Sequence, residues 1–178
     1  MSEHDKRAYW CAFNLAFFAY LRIGELISDG VYPALCVGDM KMSYCTLSIL
    51  LKRSKTDQRG KGQIIQLHKT GRSVCPVTAF QKYHCSLCTN GLDSADQPLF
   101  RHLDGSSITQ PSFRKVLRTC IIGVPNHSQY SSHSFRIGAA TTAARHGETA
   151  DNIKRSGRWK SGVYNGYIRT KTTGLRLK

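Results

Sequence analysis

The chain has 178 residues, 40% of them hydrophobic and 10% aromatic, which is enough apolar material for one folded domain and excludes a disordered chain. Its formal net charge is +15, concentrated in residues 101–178, which hold 14 Lys/Arg against 3 Asp/Glu, whereas residues 1–100 hold 12 against 8. So skewed a positive charge repels itself in a compact state unless a polyanion is near, which makes nucleic acid the expected partner.

The longest apolar run, Ala8 to Leu21, is interrupted by Asn14 and stops at Arg22, short of the ~20 residues a membrane span needs. Glu3 and Asp5 acidify the segment before it, and no small-residue cleavage pattern follows, so it reads as a core helix rather than a signal peptide. Residues 3–27 form one long helix or two abutting ones: Trp10, Phe13, Phe17 and Leu21 recur at helical spacing, and Ser2 can cap. Arg22 and Glu25, three apart, stand where that stripe ends, and Gly30 and Pro33 break the helix.

Thr46 to Thr56 is strand-like, with Leu47, Ile49 and Leu51 alternating. The turn Asp57-Gln-Arg-Gly-Lys-Gly62 leads into a second strand from Gln63 to His68, which puts Lys55 near the tip of a hairpin. Pro76 opens a short helix through about Leu87. Within it His84, Cys85 and Cys88 invite a zinc reading, but no second pair stands at finger-like spacing, and incidental thiols at a helix end fit better. The cysteines number seven, and an odd count with no secretory leader in view points to free thiols in a reducing compartment.

A polar loop, Asn90 to Gln97, and a turn at His102-Leu-Asp-Gly105 precede a helix from Ser112 to Cys120, with Arg114, Lys115 and Arg118 on its exposed side. A loop through Asn126-His-Ser follows, and then Ser132-His-Ser-Phe-Arg-Ile-Gly-Ala-Ala-Thr141. In a helix, His133 and Arg136, three apart, share one face. A guanidinium fork beside a proton-shuttling imidazole suits a phosphate that is both held and reacted on. Ala139, Ala140, Ala143 and Ala144 form a small-residue stripe for close packing, and two further helices are expected over Ile153 to Arg158 and Trp159 to Ile168. Neither an internal repeat nor a low-complexity tract is present.

Taken singly, these residues have plain readings: Arg22 as a charge complementing a helix C-terminus, Lys55 as a turn lysine, Tyr167 as a core aromatic. Taken together, Arg22 with Glu25, Lys55, His133 with Arg136, Arg158-Trp159 and Tyr167 closely resemble, in order and local context, the tyrosine recombinase (phage-integrase-like) catalytic domain. Phe17-Phe-Ala-Tyr-Leu-Arg-Ile-Gly-Glu-Leu26 looks like that family's first-arginine box, and Arg53-Ser-Lys-Thr56 like its hairpin lysine. Ser132 to Ala140 resembles its His-x-x-Arg box. Gly157-Arg-Trp-Lys-Ser161 with Tyr167-Ile-Arg169 resembles its terminal box and nucleophile. Gly-Arg-Trp and Ser-His-Ser-Phe-Arg look most like recombinases of eukaryotic mobile elements of the Crypton and DIRS kind, which implies a nuclear location, or a cytoplasmic one in a prokaryote.

The resemblance implies an α+β, mainly helical fold with a small antiparallel β-sheet. It implies a metal- and ATP-independent DNA strand transferase that acts on double-stranded DNA, without cofactor, and self-associates, as a tetramer on DNA in the family. Tyr167 would be the nucleophile, Arg22 and Arg136 the phosphate clamps, and Lys55 the acid for the departing 5′ oxygen. His133 would accept the phenol proton or donate to the phosphate, and Glu25 would orient its neighbours. The penultimate family position lies nine residues before the nucleophile; counting back from Tyr167 reaches Arg158, not Trp159. Either Arg158 is a third phosphate donor or a one-residue shortening gives the place to Trp159; Arg158 is preferred, with Trp159 packing beside it. Family members carry a helical DNA-binding domain ahead of the first-arginine box. Here the box begins almost at the N-terminus, so residues 1–178 are expected to be the catalytic domain alone. A type IB topoisomerase-like nicking and resealing activity, and a catalytically silent domesticated DNA-binding module, are the rival readings.

Overall fold

A computed structural model of the chain describes residues 1–28, 35–52 and 62–169. The first helix, α1 (Glu3–Phe18), starts at a reciprocal cap in which Ser2 Oγ accepts the Asp5 N–H at 3.0 Å and the Asp5 carboxylate accepts the Ser2 N–H. Of the two readings of residues 3–27, one long helix or two, the structure takes the second. At Tyr20 the backbone turns left-handed, with φ of 51°, and Arg22 caps the short α2 (Ile23–Leu26), where Glu25 Oε2 accepts the Arg22 N–H at 2.9 Å.

The sheet has three antiparallel strands, β1 (Met40–Met42), β2 (Thr46–Leu51) and β3 (Gln63–His68), in the order β1-β2-β3. Ile49 lies opposite both Met40 and Ile65, and Leu47 opposite Leu67, so alternate residues present one apolar face. Leu47, Ile49 and Leu51 of β2 are buried as their spacing requires, whereas the short β1 was not expected. The β2–β3 connection, with Lys55 in it, lies outside the described residues.

Helix α3 (Pro76–Thr89) begins at Pro76 and packs on α1, joining Val77, Phe80, Tyr83 and Leu87 to Ala8, Cys11, Ala12 and Leu15 in the main core. Helix α4 (Gln110–Cys120) buries Phe113 and Leu117 and leaves Arg114, Lys115 and Arg118 exposed. Helix α5 (Ser134–Arg145) docks on α1 through stacked Phe13 and Phe135, 5.4 Å apart, with Phe113 edge-on to Phe13 at 5.1 Å. Beyond α6 (Ala150–Ser156), the helix expected over Trp159 to Ile168 is only a 3-10 turn, Gly162–Tyr167, with no buried residue. Two glycines and an asparagine there favour turns, and no apolar stripe anchors a longer helix. A second, smaller core gathers Ala140, Ile153 and Trp159, with Tyr20, Tyr164 and Tyr167 packed against it. The architecture is thus mainly helical with one small antiparallel sheet.

Candidate active site

Three stretches meet at the second core: the α1–α2 junction, the start of α5, and the chain from Gly157 to Tyr167. Arg136 is the centre. It is fully buried, and its two terminal nitrogens donate to the carbonyls of Tyr20 and Gly157. The Trp159 ring lies 4.3 Å from its guanidinium carbon and the Tyr167 ring 5.7 Å, two neighbouring aromatic rings beside one cation. Burial, with the charges of Arg22 and Arg158 and against that of Glu25, pulls its pKa down to about 10. It stays a cation at neutral pH.

His133 stands at the N-cap of α5, exposed, its ring 5.0 Å from that of Tyr167. The expected shared face is therefore realised around one partner: His133 and Arg136 both border the Tyr167 ring. Partial desolvation, then the charges of Arg136 and Arg22, hold the imidazole below its usual 6.5, so it is neutral at pH 7. The Trp159 ring is 4.9 Å from that of Tyr167.

Glu25 is shared by two arginines. Its Oε1 takes Arg22 Nη1 at 3.0 Å and its Oε2 takes Arg158 Nη2 at 2.8 Å. Arg22 remains partly exposed, and its charge reaches both His133 and Arg136. Arg158 points inward: besides Glu25 it donates to the carbonyls of Ala19 at 2.9 Å and Tyr20 at 3.2 Å. The preferred sequence reading gave Arg158 a phosphate to hold. The structure instead gives its terminal nitrogens to the α1–α2 junction and turns Trp159 toward Arg136 and Tyr167. The reason lies in the backbone: Arg158 adopts a left-handed φ of 56°, which separates its direction from that of Trp159. Seven of the eight expected site residues fall within the described residues and converge here; Lys55 lies outside them.

Three residues matter that sequence reasoning did not single out. Tyr20, left-handed, offers one carbonyl to both Arg136 and Arg158 and sets its ring edge-on to Trp159 at 6.0 Å. A Cβ at Gly157 would lie 1.6 Å from the Trp159 ring, so only glycine admits the indole there. The Gly before Arg-Trp was the one available signal. Thr141 bonds the backbone at Tyr167, and nothing local announces it.

This geometry is a buried cation with an imidazole and a phenol packed beside it, groups suited to a phosphodiester. No family model matches the sequence, and no curated protein matches it. Solved structures do match in fold. XerH site-specific recombinase bound to palindromic difH substrate, in a post-cleavage complex, superposes with a TM-score of 0.70 at 16% identity, over 96% of this chain and 44% of that one. XerA recombinase gives 0.64 at 16% identity, over 97% of this chain and 60% of that one. FLP recombinase in a Holliday junction complex gives 0.57 at 14%, over 97% and 43%. The fold is that of a tyrosine recombinase catalytic domain, and its structural neighbours are tyrosine recombinases and integrases. The chain spans 43% to 60% of the length of these three proteins.

Proposed function

We propose that this domain cleaves and rejoins strands of double-stranded DNA, with Tyr167 as nucleophile and a 3′-phosphotyrosyl intermediate. The observation that carries the reading is the meeting of His133, Arg136, Trp159 and Tyr167 around one point. The Tyr167 phenol oxygen attacks phosphorus, the bond to the 5′ oxygen breaks, and a free 5′ hydroxyl leaves. That hydroxyl, or one on a partner duplex, reverses the step and releases the tyrosine, so the bond energy is stored and neither ATP nor a metal enters. Arg22 and Arg136 offset the extra charge of the pentacoordinate state, and removing one such donor typically costs on the order of 10²–10³ in rate. Arg136 Nε and Trp159 Nε1 are buried donors with no partner among the described residues, and a phosphate oxygen would satisfy either. Arg158 Nε is likewise unpartnered among the described residues, but the terminal nitrogens of Arg158 are committed to Glu25, Ala19 and Tyr20, so Trp159 is the better candidate for the penultimate phosphate contact. His133, neutral at pH 7, accepts the phenol proton or, in its other tautomer, donates to the phosphate. Lys55 protonates the 5′ oxygen. Glu25 is a positioning residue for Arg22.

Because Arg136 is fully covered, DNA entry displaces the Tyr167 ring from it. The charge of residues 101–178 and the exposed Arg114, Lys115 and Arg118 supply the attraction for the duplex. Exchange between duplexes requires self-association of this domain on DNA. The same burial of Arg136 favours a second reading, a module that binds DNA and does not cut.

The test is a nicked duplex that loses its short 5′-hydroxyl fragment after cleavage, so that resealing is blocked. A denaturation-resistant protein–DNA adduct is expected, and Tyr167→Phe abolishes it. An adduct with that variant would move the nucleophile to Tyr164. DNA binding with no adduct from the unaltered chain would leave the binding module.

A further inference from the structure

What holds Tyr167 in place is a separate matter, and it rests on the reading of Tyr167 as the nucleophile. The 3-10 turn that carries it, Gly162–Tyr167, contributes no buried residue, so the turn lacks the apolar anchoring that fixes α1 and α3. The Tyr167 ring lies against His133, Trp159 and Arg136, but such contacts are only loosely directional.

A directional tether comes from Thr141 on α5, five residues after Arg136 and 8% exposed. Its hydroxyl donates to the Tyr167 carbonyl at 3.2 Å and accepts the Arg169 N–H at 3.1 Å. A hydroxyl has one donor and two acceptor sites, and this one uses both kinds on the same short segment. The tyrosine is held on its C-terminal side by both bonds, while its phenol is left to move.

We propose that Thr141 is a positioning residue for Tyr167, fixing the nucleophile's backbone to the helix that bears His133 and Arg136. The attacking oxygen and the groups around the phosphate then keep one frame even when DNA entry swings the Tyr167 ring. Since Thr141 is covered, its loss acts on the chemical step and not on DNA affinity. Serine keeps both bonds; valine keeps the shape and loses both.

The experiment compares the full chain with Thr141→Val and Thr141→Ser. Single-turnover cleavage of the nicked duplex, DNA affinity, the urea midpoint and hydrogen exchange at the Arg169 amide are measured for each. Thr141→Val is expected to cleave about tenfold to a hundredfold more slowly, with DNA affinity within about twofold and faster Arg169 exchange, while Thr141→Ser stays near the unaltered chain. Cleavage by Thr141→Val at the unaltered rate overturns the proposal, as does a Thr141→Ser variant as slow as Thr141→Val. Should the valine variant not fold, the serine variant and the unaltered chain decide it, and an unprotected Arg169 amide in the unaltered chain overturns it. If the unaltered chain forms no adduct, the functional reading fails by itself. Arg169 exchange still tests the tether, and no difference between Thr141→Val and the unaltered chain overturns it.

Discussion

Arg158 and Glu25, 133 residues apart in sequence, form an ion pair at 2.8 Å with both side chains more than nine-tenths covered. It ties the chain after α6 to α2, and the same carboxylate holds Arg22 at 3.0 Å. Charges so placed are held by each other and by the carbonyls of Ala19 and Tyr20, and burial, with the charge of Arg22 and against Glu25, draws the Arg158 pKa down. Removing Glu25 strands Arg158 in a dry site, and removing Arg158 leaves Glu25 with Arg22 alone; breaking a buried pair typically costs about 3–5 kcal/mol. Arg158→Met is therefore expected to lower the unfolding free energy by about 3 kcal/mol in urea denaturation. An unchanged midpoint together with weakened DNA binding would return Arg158 to the surface as a phosphate contact.

Trp159→Phe separates the indole N–H from the ring. The N–H makes no hydrogen bond among the described residues, while the ring covers Arg136 at 4.3 Å. Stability should fall by about 1–3 kcal/mol, because phenylalanine is smaller than the buried indole and leaves a cavity. Adduct formation should fall about 10²-fold if that N–H meets the phosphate in the transition state. Gel analysis of trapped adducts at timed intervals reads this directly, and an unaltered rate would remove Trp159 from the chemistry.

The imidazole of His133 makes stability depend on pH in a defined direction. Its folded pKa lies below 6.5, so between the two values the unfolded chain binds more protons. Stability is therefore fully present above about pH 6.5 and declines as pH falls through that window. Thermal midpoints measured from pH 7.5 downward should show this decline, and His133→Gln should flatten part of it. The effect is small because the ring is exposed. A slope that persists unchanged in the variant would assign it to other groups.

DNA affinity should be weak and steeply dependent on salt. Lys115 and Arg118 lie on the exposed side of α4, and each one that meets a phosphate contributes about 0.9 to the slope of log affinity against log salt. Replacing both by Ala should flatten the slope by about 2 without changing sequence preference, as anisotropy titrations from low to moderate salt would read. A slope that does not move would place the duplex on another face.

Where chemistry was local, the sequence disclosed it. The Ser2–Asp5 cap, the alternation of Leu47, Ile49 and Leu51, the proline start of α3 and the exposed cations of α4 all follow from spacing over a few residues. The break after α1 was half legible, because an apolar stripe ending at Arg22 does not say that Tyr20 turns left-handed. Strand β1, only three residues long, has too little alternation to show. The helix expected over Trp159 to Ile168 is only a 3-10 turn, because Gly162, Asn165 and Gly166 favour turns where nothing is buried.

The sequence by itself determined the order of the candidate groups: Arg22, Glu25, Lys55, His133, Arg136, Arg158, Trp159 and Tyr167. Order and residue type are written in the chain, and the three-residue spacing of His133 and Arg136 lets them share one face of a helix. Only the tertiary structure decided what each group faces. Arg158 turned inward to Glu25, Trp159 took the place over Arg136, and Thr141 reached the backbone at Tyr167. Those choices depend on contacts between residues 23 to 133 positions apart or on a single left-handed φ, and neither leaves a periodic trace.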